Sequence, residues 1–75
     1  MTMEQIDFFL MTVRCDTFLE AAENLHIAQS TLSKQIQKLE SELNLTLFDR
    51  TRRQAVLTPA GELFCQEASE LSRQY

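Results

Sequence analysis

The stretch Thr17–Leu43, TFLEAAENLHIAQSTLSKQIQKLESEL, decides how the rest of this 75-residue chain is read. Thr17 followed three residues later by Glu20 is a capping-box pattern, which satisfies helix-initial N–H groups from both ends of the box. It opens a short helix through about Leu25, with Phe18, Ala21, Ala22 and Leu25 on its apolar face. Alanines on a buried face let another helix approach closely. His26-Ile27-Ala28 forms the turn, with Ile27 as the apolar plug beneath it. A longer helix, Gln29 to Leu43, carries Leu32, Ile36, Leu39 and Leu43 at spacings of four, three and four, a single core stripe. Two helices joined by so short a turn form a helix-turn-helix.

The arc opposite that stripe holds Ser30, Ser33, Lys34, Gln37, Lys38 and Ser41, with the helical advance of about 100° per residue. It contains no acid; Glu40 and Glu42 project from its two flanks. Hydroxyls, amides and two lysines are chemically suited to phosphates and base edges. Taken alone, the same face suits an ordinary solvated surface equally well.

Working outward, Thr2 and Gln5 make a capping box for a helix from about Met3 to Arg14. Its expected buried stripe is Ile6, Phe9, Leu10 and Val13. Beyond the helix-turn-helix, Asn44 suits a left-handed backbone position. Leu45 and Leu47-Phe48 then predict a short strand, 51–54 a polar turn, and Ala55-Val56-Leu57 a second strand. The turn lacks the Asn-Gly or Asp-Gly signal of a tight hairpin, so a longer loop is expected. Arg50, Arg52 and Arg53 at such a tip would reach a minor groove or backbone phosphates. Thr58-Pro59 starts a last helix, with a hydroxyl N-cap and Pro where its missing N–H costs nothing. Leu63, Phe64, Ala68 and Leu71, with Tyr75, are expected on one face of it.

The fold class expected is therefore mostly α: a winged helix-turn-helix with a three-helix core, a short β-hairpin wing and a long C-terminal helix. One Gly and one Pro leave little room for long loops. A chain this short buries only about 60% of the surface its unfolded form exposes, so a single domain is expected. Residues 1–58 read as the winged domain and 59–75 as the start of a linker helix. The periodic pattern runs to the final residue, which reads as a domain cut from a longer protein.

A formal net charge of −4 argues superficially against a nucleic-acid partner. Position matters more than the total. Lys34, Lys38, Arg50, Arg52 and Arg53 fall within twenty residues, whereas Glu4, Asp7, Asp16, Glu20 and Glu23 crowd the first third. Cys15 and Cys65 are far apart and only one histidine is present, so a zinc site is not expected. No apolar stretch approaches the ~20 residues of a membrane span. The expectation is a cytoplasmic protein with reduced thiols, no metal, no cofactor and no membrane partner. Catalysis is not expected either. His26 has no cysteine near it, Asp49 beside Arg50 reads as a local ion pair, and Glu40 and Glu42 point in different directions along their helix.

The ordered string Ala21-Ala22-x-x-Leu25-His26-Ile27-Ala28-Gln29-Ser30-x-Leu32-Ser33-Lys34-Gln35-Ile36-x-x-Leu39-Glu40 resembles the signature of LysR-type transcriptional regulators. Leu43-x-x-x-Leu47-Phe48-Asp49-Arg50 and Leu57-Thr58-x-Ala60-Gly61 continue the resemblance in register, over essentially the whole chain. The resemblance implies a bacterial transcription factor that binds an interrupted dyad in double-stranded DNA as a homodimer, paired through the helix beginning at Pro59. It also implies a small-molecule effector confined to a further C-terminal domain. Gln29, Ser30, Thr31, Ser33 and Lys34 then match groove-reading positions, with Lys38 on the same face, and Thr17 matches a phosphate contact. Gln29 suits bidentate pairing with adenine, and Lys34 suits guanine or a phosphate. Arg50, Arg52 and Arg53 match the wing.

The chain departs from that pattern at Ala28, where a capping Ser or Thr is usual, a difference of about 1 kcal/mol in helix stability. Ser30 stands where Pro is usual, and Asn44 and Thr46 replace the usual Gly and Pro. The competing expectation is a winged helix used for protein–protein binding. Such a module would need neither an acid-free face on its third helix nor an Arg-rich wing.

Overall fold

Thr2 fixes the start of helix α1 (Met3–Arg14). Its Oγ1 accepts from the Gln5 N–H at 3.1 Å, and Gln5 Oε1 accepts from the Thr2 N–H at 3.0 Å, completing the capping box. The buried line along α1 is Ile6, Phe9 and Thr12, with Gln5 beside it. Leu10 and Val13, expected in that line, are only half-buried at its margin. Thr12 is tolerated inside because its hydroxyl donates to the Phe8 carbonyl at 2.8 Å.

The computed structural model describes residues 1–73. Its remaining elements are α2 (Phe18–Leu25), α3 (Gln29–Leu43), β1 (Phe48–Asp49), β2 (Val56–Leu57) and α4 (Pro59–Arg73). Thr17 caps α2 by accepting from the Glu20 N–H at 3.1 Å, the forward half of the expected box. The α2–α3 turn is made by His26 in the left-handed region, φ 59° and ψ 40°, which lets the Ile27 N–H reach the Ala22 carbonyl at 3.0 Å. Asn44 ends α3 in the same conformation, at φ 55°. Ala28 stands at the N-cap of α3 without a side-chain hydrogen bond.

Helices α1, α2 and α3 pack on one another through Ile6, Phe9, Ala21, Ala22, Leu32, Ile36 and Leu39. Phe9 joins them to the rest of the fold. Its ring centroid lies 5.4 Å from that of Phe48 on β1 and 5.0 Å from that of Phe64 on α4. The tilted and edge-on arrangements are those that aromatic quadrupoles favour.

The strands are shorter than expected. They pair antiparallel as Phe48↔Leu57 and Asp49↔Val56 only. The missing ladder bonds go elsewhere, as a complete backbone account requires. Leu47 and Phe48 donate to a side chain of α3, Ala55 N–H donates to the Asp16 carbonyl at 2.8 Å, and Thr58 N–H takes the Leu47 carbonyl at 2.9 Å. Leu45 is accordingly exposed.

Thr58 caps α4 by accepting from the Gly61 N–H at 3.0 Å, and its hydroxyl donates to the Thr46 carbonyl. Gly61, Phe64 and Ala68 face inward. Leu63, expected with them, is 64% exposed, and Leu71 is 42% exposed. Gly61 dictates this rotation, because it alone lets the helix backbone press on Leu47. Leu63 then lies about 200° around the axis, facing away. Leu71 lies beyond Ala68, which is itself buried. Tyr75 lies outside the described residues.

Candidate nucleic-acid interface

The capped start of α2 and the turn at His26 place the first turn of α3 at the surface. Gln29, Ser30, Thr31, Lys34 and Lys38 are exposed, and Ser33 is half-buried. Among the described residues, none of their side chains forms a hydrogen bond or ion pair within the chain, so the whole set is available to a ligand.

Both acids of α3 are withdrawn from that face. Glu42 is bound by the Met1 ammonium group, which is the main cause holding its carboxyl below the usual range. The cation Lys38, on the same helix, adds to this. Glu40 is turned into the fold, its side chain only 11% exposed. Its Oε2 accepts from Leu47 N–H at 2.7 Å and Phe48 N–H at 3.3 Å, and its Oε1 accepts from Arg50 at 2.8 Å. Expected on a solvated flank of α3, Glu40 instead joins α3 to the root of the wing.

That arrangement corrects the expected Asp49–Arg50 pair. Arg50 turns back from the wing tip to Glu40, and its guanidinium carbon sits 5.5 Å from the centre of the Phe18 ring. Asp49 instead accepts from the Thr51 N–H at 3.0 Å and the Thr51 hydroxyl at 2.6 Å. The Thr51 hydroxyl bond is the main cause lowering the Asp49 carboxyl below its ordinary value. Arg52 approaches Asp49 only loosely, at 3.8 Å, with its side chain 69% exposed. Arg53 is exposed and forms no ion pair among the described residues.

Three of the residues singled out in the sequence come together from three elements. Thr17 at the start of α2, Gln29 at the start of α3 and Arg53 of the wing line one open depression of about 310 Å³, with Phe18 and Leu19. Lys34 and Lys38 border a second, of about 400 Å³, along the flank of α3. A helix start, an amide and a guanidinium along one surface suit a strand of polyanion, since helix N-termini favour anions.

The family model for the bacterial regulatory helix-turn-helix protein, lysR family, matches residues 3–62. The chain belongs to the lysR family. Its relatives in that family include the uncharacterized HTH-type transcriptional regulator YcgK of Bacillus subtilis, 44% identical over 73 residues. A probable RuBisCO transcriptional regulator of Cyanidioschyzon merolae is 44% identical over 70 residues. The matches cover 97% and 93% of this lysR-family chain but only 22% and 23% of those two proteins. Among solved structures, the BenM DNA-binding domain in complex with catB site 1 DNA superposes with TM-score 0.94 at 39% identity, over 99% of this chain and 80% of that one. The CbnR DNA-binding domain–DNA complex gives TM-score 0.93 at 30% identity, over 99% and 85%. The winged helix-turn-helix expected from the sequence is the fold of this lysR-family chain.

Proposed function

We propose that this chain is the sequence-specific DNA-binding domain of a longer LysR-type transcriptional regulator. One observation carries the reading. Gln29 at the start of the acid-free face of α3, Thr17 at the start of α2 and Arg53 of the wing line one depression, in a fold that matches lysR-family domains solved on DNA. The α3 helix enters the major groove. Gln29, Ser30, Thr31, Ser33 and Lys34 meet base edges, and Lys38 meets the backbone on the same face. Thr17 meets a phosphate, and Arg52 and Arg53 meet the minor groove or flanking phosphates.

Residues 1–58 form the winged domain in this reading. The helix from Pro59 is the linker through which two copies pair on an interrupted dyad, and the exposed Leu63 and Leu71 supply apolar surface for that pairing. A small-molecule effector belongs to the remainder of the regulator. The protein acts in the cytoplasm as a regulator and not as an enzyme. The relatives' description as transcriptional regulators supports this, and no helix among the described residues is long and apolar enough to cross a membrane.

A salt titration of duplex binding tests the reading. Neutralising Z phosphates makes log K fall with log salt at a slope of about −0.9Z. Steep salt dependence, together with preference for one sequence over a scrambled duplex, is expected. A winged helix serving protein–protein contacts would bind no duplex even at low salt, and that result would overturn the assignment.

A further inference from the structure

We infer that Glu40 is a positioning residue for DNA recognition: through Arg50 it holds the wing in register with the reading face of α3. The inference rests on the DNA-binding reading above and adds a residue that touches no DNA. Glu40 belongs to α3, two turns beyond Ser33, yet all three of its donors belong to the wing root. One carboxylate oxygen takes both the Leu47 and Phe48 N–H groups, and the other takes Arg50.

Arg50 carries the connection onward. Its guanidinium lies over Phe18, whose ring meets Phe48 edge-on with centroids 5.2 Å apart. Phe18 also lines the depression shared by Gln29 and Arg53. Elements α2, α3 and β1 are therefore joined at one charged, partly exposed node at the base of the wing. The hairpin itself is too short to supply this rigidity, with two paired residues on each strand. Arg50 is thus a brace, and Arg52 and Arg53 are the groups whose placement it controls.

Carboxylate chemistry is required at position 40. A glutamine offers one acceptor oxygen, so its amide donors would face either Arg50 or the two backbone N–H groups. Glu40→Gln therefore releases the wing while leaving α3 intact.

The test is a cycle of salt titrations on the 75-residue chain with a fixed 30-base-pair random-sequence duplex. In the wild-type background, Arg52→Ala with Arg53→Ala should flatten the salt slope by about 2, at about 0.9 for each phosphate that is no longer neutralised. Glu40→Gln should flatten it by a similar amount, and the two arginine changes should then do nothing further. Non-additivity of this kind marks groups acting as one unit.

Additive slopes would overturn the inference. So would a steeper slope in Glu40→Gln, which would mean that releasing Arg50 had merely created a new phosphate contact. Should Glu40→Gln not fold, as judged by helical circular dichroism, Arg50→Met decides. It keeps both backbone bonds to Glu40, and its slope must be likewise non-additive with the arginine pair. If the wild-type chain binds no duplex, the underlying DNA-binding reading fails instead; if the arginine pair has no effect in a chain that binds, the wing carries no contact for Glu40 to position and the inference is overturned.

Discussion

Gly61 on α4 lies against the backbone of Leu47, so closely that a Cβ at position 61 would sit 2.1 Å from the Leu47 carbonyl oxygen. That oxygen is held in place by the Thr58 N–H at 2.9 Å, so it cannot swing aside cheaply. Gly61→Ala would gain roughly 1 kcal/mol of helix propensity. The overpacking cost, at the upper end of about 1–3 kcal/mol, outweighs that gain. The variant should unfold at lower urea than the parent with an unchanged m-value; a higher midpoint would refute the close approach.

The uncapped start of α3 predicts a stabilising change. Ala28 already has the extended backbone of an N-cap, at φ −69° and ψ 146°, and lacks only the acceptor. Ala28→Ser should add about 1 kcal/mol. For a domain of this size that is a rise in Tm of about 4–8 °C. No rise would mean that the first N–H groups of α3 are already satisfied by solvent.

The proposed function puts base reading on the first turns of α3. Gln29→Ala and Lys34→Ala should each narrow the affinity ratio between the preferred and a scrambled duplex, by roughly 1–3 kcal/mol for a base-edge contact. Lys38→Ala, at a proposed backbone contact, should weaken both duplexes alike. Full discrimination retained in Gln29→Ala would remove that residue from the reading set.

Asp49 gives the wing an acid limit. Its carboxyl is held below the ordinary value chiefly by the Thr51 hydroxyl. A depressed folded-state pKa contributes stability that is present above the unfolded value, about 3.9. That contribution is lost as pH falls through the folded value. Asp49→Asn cannot titrate, so its thermal midpoint should fall less than the parent's between about pH 5 and pH 2. Parallel curves would show that Asp49 takes no part in acid unfolding.

What was legible in the sequence was local. The caps at Thr2, Thr17 and Thr58 and the stripe Leu32–Ile36–Leu39 depend on residues three or four apart, and the structure places them as expected. The misplaced features depend on distant partners. Leu63 has a helical spacing that fits an inner face, but the rotation of α4 is set by Gly61 against Leu47, fourteen residues away. The strands look longer in sequence because nothing local shows that their N–H groups are diverted to Glu40 and Asp16. Of the candidate site, the face of α3 and the exposure of Arg52 and Arg53 were readable from spacing and charge. Glu40 was not, since its partner at Arg50 becomes a neighbour only after the chain turns at Asn44. Its one trace in the sequence is the Leu39-Glu40 pair within the family string.

The bond from Ala55 N–H to the Asp16 carbonyl has a consequence for how the molecule behaves in a crowd of its own kind. Exposed strand edges present unpaired N–H and C=O groups that template pairing between chains and seed aggregation. Here the ladder is two pairs long, and the N–H just before β2 is already occupied by the loop ahead of α2. A wing built this way leaves little edge on which another chain could add a strand.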